Sequence, residues 1–208
     1  MGICGRTGSG KSTICLSIFR LIEPHEGTIF IDDVNIQNIG LDLLRQNLTY
    51  IPQDPILMEG SLKFNIDPFN LYENEKIVEI LKSIGFEYTE DDDKILYRHI
   101  EINGNNLSIG EKQLVCIARA VLKKTKILIM DEATANIDVK TEEKIQKILN
   151  NTFIDCTIIT IAHRIKTILN YDKILVLENG KILEFDLPKT LLENKQSYFY
   201  KLYEKSSL

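Results

Sequence analysis

The chain has 208 residues, 44% of them hydrophobic and 26% charged, with a formal net charge of −5. That length suits one generous domain or a core with an inserted subdomain, and the acidic balance argues against a nucleic-acid surface, which needs basic excess. Cys4, Cys15, Cys116 and Cys156 are scattered without a C-x-x-C pair, so they read as small buried residues in a reducing compartment, not as a disulfide frame or zinc site. No apolar run approaches the roughly 18–20 residues of a membrane span, and no basic-then-apolar leader opens the chain. The chain by itself is expected to be soluble, with any membrane role supplied by a partner or by further sequence.

The apolar start Gly2-Ile3-Cys4 leads into Gly5-Arg6-Thr7-Gly8-Ser9-Gly10-Lys11-Ser12, followed by a helical run over 13–21. Between a strand and a helix, G-x-x-x-x-G-K-[ST] is a triphosphate-binding loop. Glycines let the backbone turn so that its N–H groups face phosphate oxygens, and the helix N-terminus adds partial positive charge. Lys11 would reach the β- and γ-phosphates and the Ser12 hydroxyl would bind Mg²⁺. A plain glycine turn before an ordinary helix is the alternative, but it would not need Lys and Ser in register after the last glycine.

Further along, 28–32 reads as a short strand, 33–38 as a polar turn, and 41–46 as a short helix. Residues 49–52 read as a strand stopped by Pro52. A helical stretch over 61–85 breaks at Asp67-Pro68, and the acidic run 87–94 reads as a solvated loop. Apolar positions in 108–122 recur at helical spacing. Residues 126–130 form a continuous apolar run, as in a strand buried on both faces, and 140–150 forms a surface helix. Residues 157–161 give another buried strand. Strands at 173–177 and 181–185 flank an Asn179-Gly180 hairpin turn, and 188–205 is helical. Strands alternating with helices predict a mostly parallel α/β sheet, with the central helical stretch as an insertion.

The strand over 126–130 ends in Asp131-Glu132, at the carboxyl edge where open α/β sheets bind ligands. Asp131 would order the Mg²⁺ shell, and Glu132 would orient an attacking water or take its proton. Without the glycine loop, the pair would read equally well as solvated acids. Gln53 could touch the metal shell and still move, its amide carrying no fixed charge; otherwise it is an exposed loop residue. His163 could donate to a γ-phosphate oxygen while its other nitrogen is held, though a lone histidine is more often structural. Ser108 reads first as a helix cap completed by Glu111; the same free N–H groups could also face an anion.

Taken in order and spacing, these residues resemble the nucleotide-binding domain of an ATP-binding-cassette (ABC) transporter, over essentially the whole chain. Leu107-Ser108-Ile109-Gly110-Glu111 is similar to the family's LSGGQ signature. Ile51-Pro52-Gln53-Asp54-Pro55, Asn65-Ile66-Asp67-Pro68-Phe69 and Glu132-Ala133-Thr134-Ala135-Asn136-Ile137-Asp138 resemble the second nucleotide-binding domain of subfamily C, the multidrug-resistance-associated type. The resemblance implies a P-loop NTPase fold: a RecA-like core over 1–53 and 126–208, a helical subdomain over about 54–125, and a β-subdomain largely missing at the N-terminus. It implies an ATPase that powers transmembrane transport, with ATP and Mg²⁺ bound. One face of the site would comprise Gly5, Arg6, Thr7, Gly8, Ser9, Gly10, Lys11, Ser12 and Thr13 around the phosphates. Ser12, Gln53 and Asp131 would serve the metal, and Glu132, His163, Lys11 and Gln53 the chemistry. Ser108 and Gly110 would reach a partner's ATP in trans.

The implied partners are a second nucleotide-binding domain, stacked head to tail within the same full-length polypeptide, and transmembrane domains, with no nucleic acid. The implied location is the cytoplasmic face of a membrane. Two rival readings stand beside this one: an ATP-binding regulatory or vestigial fragment without hydrolysis, and a soluble ABC-type ATPase of DNA repair or chromosome organisation. Ile109 and Glu111 depart from the common signature. A β-branched residue limits backbone approach and a carboxylate repels a triphosphate unless screened; the resemblance to subfamily C second domains implies that this signature completes a slow, ATP-holding site while the chain's own phosphate loop and Glu132 serve the hydrolytic one. Only Met1 to Cys4 precede the loop. The aromatic residue that the family stacks on adenine is therefore absent, with an expected loss of affinity and stability.

Overall fold

The structure, a computed structural model, describes residues 1–87, 92–131, 139–162 and 164–207. In chain order, β1 (Gly2–Gly5) runs through the glycine loop into α1 (Lys11–Ile18). A short hairpin of β2 (Phe30–Ile31) and β3 (Val34–Asn35) leads through a 3₁₀ turn to α2 (Leu41–Gln46) and β4 (Leu48–Ile51). The helical stretch holds β5 (Gly60–Ser61), α3 (Leu62–Ile66), α4 (Asn74–Ser83), α5 (Asp92–Leu96) and β6 (His99–Ile100). Then come α6 (Ile109–Lys123), β7 (Ile127–Asp131), α7 (Val139–Thr152) and β8 (Thr157–Ile161). The chain finishes with β9 (Ile174–Glu178), β10 (Lys181–Asp186), α8 (Pro188–Glu193) and α9 (Tyr198–Ser207).

The main sheet has six strands in the order β10-β9-β1-β8-β7-β4. All neighbours are parallel except β10, which folds back antiparallel on β9. The strand that feeds the glycine loop thus lies inside the sheet, as a loop that must be rigidly aimed requires. Side-chain alternation explains why these strands are apolar on both faces. Ile129 packs with Ile3, Cys15, Ile159 and Ile161 on the α1 side. Its neighbours Leu128 and Met130 face the other way, into a cluster that continues through α6, α7 and the helical stretch. Cys4, facing opposite to Ile3, joins Ile168, Val176 and Phe199 beneath the C-terminal helices.

Several element ends differ from the sequence expectation, each for a local reason. The first helix stops at Ile18, not at 21, because Arg20 turns left-handed (φ 49). Leu21 N–H then bonds back to the Leu16 carbonyl at 2.9 Å, which caps the helix. The Arg20 guanidinium anchors that turn on the Ile36 and Ile39 carbonyls. In 28–38, Asp32 and Asp33 (φ 48 and 63) make a tight reversal, so the polar turn contains a second strand; two aspartates are a weaker hairpin signal than Asn-Gly. The acidic run ends in a helix, α5, and its residues 88–91 lie outside the described residues. The break at Asp67 stands: its carboxylate accepts the Tyr72 N–H at 2.9 Å and ends α3. Asn179 and Gly180 (φ 48 and 74) form the expected turn between β9 and β10.

Candidate nucleotide-binding site

The loop between β1 and α1 is shaped by close approach. Gly5 has φ +147, and a Cβ there would lie 2.1 Å from the Leu177 carbonyl oxygen of β9, so only glycine fits. Gly10, left-handed at φ 99, starts α1 without a side-chain cap, leaving the first-turn N–H groups to the loop's concave side. Lys11 is 6% exposed. Its ammonium donates to the Gly5 and Arg6 carbonyls at 3.0 and 3.1 Å, spanning the loop from within. Ser9 N–H donates to Arg6 O at 3.1 Å, and Gly180 N–H donates to Ser9 O at 3.0 Å, so the β9–β10 turn braces the loop. The buried Ser9 hydroxyl has no hydrogen-bond partner among the described residues. A cation, uncapped N–H groups and an orphaned hydroxyl in one concavity fit a phosphate group.

Asp131 reaches the same place from β7. Its Oδ2 accepts from the Ser12 hydroxyl at 3.2 Å and from the Tyr50 hydroxyl at 3.1 Å. The pairing registers Ile51↔Met130 and Asp131↔Ile161 set the carboxyl ends of β4, β7 and β8 side by side. A hydroxyl and a carboxylate at this separation are oxygen donors of the kind Mg²⁺ prefers. Cys4 and Cys15, beneath the loop, are shielded from ionisation: burial first, then the charges of Glu184 and Asp131 respectively, push each thiol up to about 12. They are packing residues, as expected.

Gln53 lies two residues beyond β4, exposed, next to the end of β7. Its backbone carbonyl is held by Gln113 of α6, whose Nε2 donates to Gln53 O at 3.2 Å and also lies 3.5 Å from Pro52 O. Ser108 and Gly110 stand elsewhere, at the start of α6. No hydrogen bond joins them to residues 5–13 among the described residues. Ser108 is the expected cap: its hydroxyl accepts the Glu111 N–H at 3.2 Å, and its own N–H donates to Glu111 Oε2 at 2.8 Å. A Cβ on Gly110 would lie 3.0 Å from Thr141 Cγ2 of α7, which favours glycine there. Ile109 is 47% exposed. Glu132, His163 and the 135–138 turn lie outside the described residues.

Sequence reasoning did not find Tyr50, Gln113 or Arg98, and it read Gly180 as a hairpin turn without its contact to the glycine loop. Tyr50 could have been found, since a tyrosine in an apolar strand usually brings its hydroxyl to a partner. Gln113 is a polar residue on the buried face of an amphipathic helix, which demands a bond to backbone or side chain. The Arg98 pairing and the Gly180 contact with Ser9 depend on tertiary approach and carry no local signal. Arg98 donates to Glu111 Oε1 at 2.9 Å. Burial alone would raise the Glu111 carboxyl, but the Ser108 N–H and hydroxyl and the Arg98 guanidinium together hold it below its ordinary value.

The ABC transporter family pattern matches residues 1–135. The chain belongs to the ABC transporter family. ABC transporter C family member 13 of Oryza sativa subsp. japonica is 49% identical over 209 residues, covering 100% of this chain and 14% of the relative. Multidrug resistance protein mrp-7 of Caenorhabditis elegans is 48% identical over 204 residues, covering 97% of this chain and 13% of the relative. The chain therefore spans about one-seventh of the length of the ABC relatives it matches. A bacterial Atm1-family ABC exporter solved with ATP bound superposes with a TM-score of 0.88 at 31% identity, over 100% of this chain and 37% of that one. The P-loop α/β fold with a mostly parallel sheet is thus the fold of an ABC nucleotide-binding domain, and the similar proteins are subfamily C transporters of the multidrug-resistance type. No helix among the described residues is long and apolar enough to cross a membrane.

Proposed function

We propose that this chain is the ATP-binding and ATP-hydrolysing domain of an ABC transporter, the second nucleotide-binding domain of a subfamily C protein. The observation that carries the reading is the 3.2 Å approach of Ser12 to Asp131 beside the Lys11 loop. The similar proteins are transporters by name, which favours transport over DNA repair. Residues 5–13 would hold the triphosphate, with Lys11 leaving its two carbonyl partners for phosphate oxygens. Ser12, Asp131 and Gln53 would hold Mg²⁺, which when bound offsets phosphate charge. Glu132 would orient or deprotonate water, and His163 would donate to the γ-phosphate. The core would comprise 1–53 and 126–208, and the helical subdomain about 54–125.

Ser108 and Gly110 would meet the ATP of a second, head-to-tail domain in the same polypeptide. The whole assembly would sit at the cytoplasmic face of a membrane beneath transmembrane domains. ATP contacts both domains only when they close, so it favours closure, and loss of the bridging phosphate reopens them. In the full assembly, Glu132→Gln should nearly abolish phosphate release while ATP still binds. Turnover retained at the wild-type rate would refute the assignment of Glu132 and of the hydrolytic site to this chain.

A further inference from the structure

We propose that Arg98 is a positioning residue for the signature turn. It holds the Glu111 carboxylate back and neutral in effect, so that the Ser108–Gly110 face stays open to a second domain's triphosphate. The inference rests on the proposed trans role of Ser108 and Gly110.

Glu111 stands where the family's common signature has glutamine, and a bare carboxylate in the first turn of α6 would repel an incoming anion. The structure disposes of both its oxygens. Oε2 is taken by the Ser108 N–H at 2.8 Å and Oε1 by the Arg98 guanidinium at 2.9 Å. The Ser108 hydroxyl accepts from the Glu111 N–H, completing the capping box that ties the acid to the turn. The exposed Ile109 lies between Ser108 and Gly110 without entering this network.

Arg98 is itself pinned from both sides. Its N–H donates to Ile95 O at 3.1 Å, and its carbonyl accepts the Leu62 N–H at 2.9 Å. The next residue, His99, pairs with Ser61 across the β5–β6 ladder, and its carbonyl accepts from Asn106 Nδ2 at 2.7 Å. With its main chain fixed in this way, Arg98 starts its side chain from a set point and brings the planar guanidinium to Glu111. The side chains of Arg98 and Glu111 remain 35% and 28% exposed, so the pair adds little to folding. Its effect falls on the anion that the turn receives.

The test is a charge cycle on the 208-residue chain, read as self-association driven by Mg²⁺ and a non-hydrolysable ATP analogue. Arg98→Gln should raise the analogue concentration for half-maximal association about tenfold, with little change in melting temperature. Glu111→Gln should not raise it. The double variant should return to within about twofold of Glu111→Gln alone, because the charge that Arg98 neutralises is gone. Arg98→Lys, which keeps the cation, should stay near wild type. A deficit that persists in the double variant, or an Arg98→Gln chain that associates like wild type, overturns the inference. So does Arg98→Lys behaving like Arg98→Gln. A wild-type chain that neither binds the analogue nor associates with it overturns the site reading and this inference together; one that binds it without associating overturns this inference alone. A wild-type response that Lys11→Ala abolishes, without charge-dependent rescue at Arg98, overturns this inference alone.

Discussion

A lysine turned back onto the carbonyls of its own loop and a serine facing an acid across the sheet are the residue-scale core of this site. Both pairings use bonds that a phosphate and a metal ion could take over. The Tyr50 hydroxyl shares the same carboxylate oxygen as Ser12, so it orients Asp131, while its ring packs edge-on against Phe19. Tyr50→Phe should raise the Mg²⁺ needed for half-maximal ATP binding about 2–5-fold, measured by titration at fixed nucleotide, with an unchanged melting curve. Glu111 gives a second prediction, with a sign. Its folded carboxyl titrates below the ordinary value of about 4.3, so its stabilisation is fully present above that pH and lost as pH falls through the lowered value. The stability difference between wild type and Glu111→Gln, from denaturant melts, should be flat above about pH 5 and shrink in stronger acid. Lys11, Ser12 and Asp131 were legible because each sits in a spaced motif. Arg98 was not, because no local pattern records its partner 13 residues away; Tyr50 left a signal, a hydroxyl in an apolar strand, but none that named its partner 81 residues away.

At the scale of elements, the site depends on where strands end and which helices brace the turns. β7 was readable from its run of apolar residues, and α6 from its period and its Ser108–Glu111 cap. β2 was read within 28–32, but β3, β5 and β6 were not, since two-residue strands offer no alternation to count. The Gln113 bridge from α6 to the Gln53 carbonyl ties the signature helix to the end of β4. The Gln113 side chain is buried, the residue being 1% exposed. Gln113→Ala removes a buried side chain and its bond to the Gln53 carbonyl, and should cost about 1–3 kcal/mol in urea unfolding. Gly5→Ala forces a carbon to within 2.1 Å of the Leu177 carbonyl, so β1 must shift against β9. That variant should lose nucleotide binding and several degrees of melting temperature; binding equal to wild type would show that the loop's place in the sheet is not what positions it.

Over the whole molecule, one sheet with helices on both faces gathers residues from opposite ends of the sequence at a single edge. Ser12 and Asp131 are 119 positions apart, yet they meet because β1 and β7 flank the same strand, β8. This convergence was legible from the motif pair, since only a parallel sheet brings two such strand ends together. The helical stretch was legible as helix but not as packing, because its apolar residues merge with Leu128 and Met130 of β7 in one cluster. The most direct test of that convergence is calorimetric titration with ATP, with and without Mg²⁺, in wild type and Asp131→Asn. Mg²⁺ should tighten ATP binding at least about tenfold in wild type and less than about twofold in the variant. An equal Mg²⁺ effect in both chains would contradict a shared metal between the glycine loop and β7.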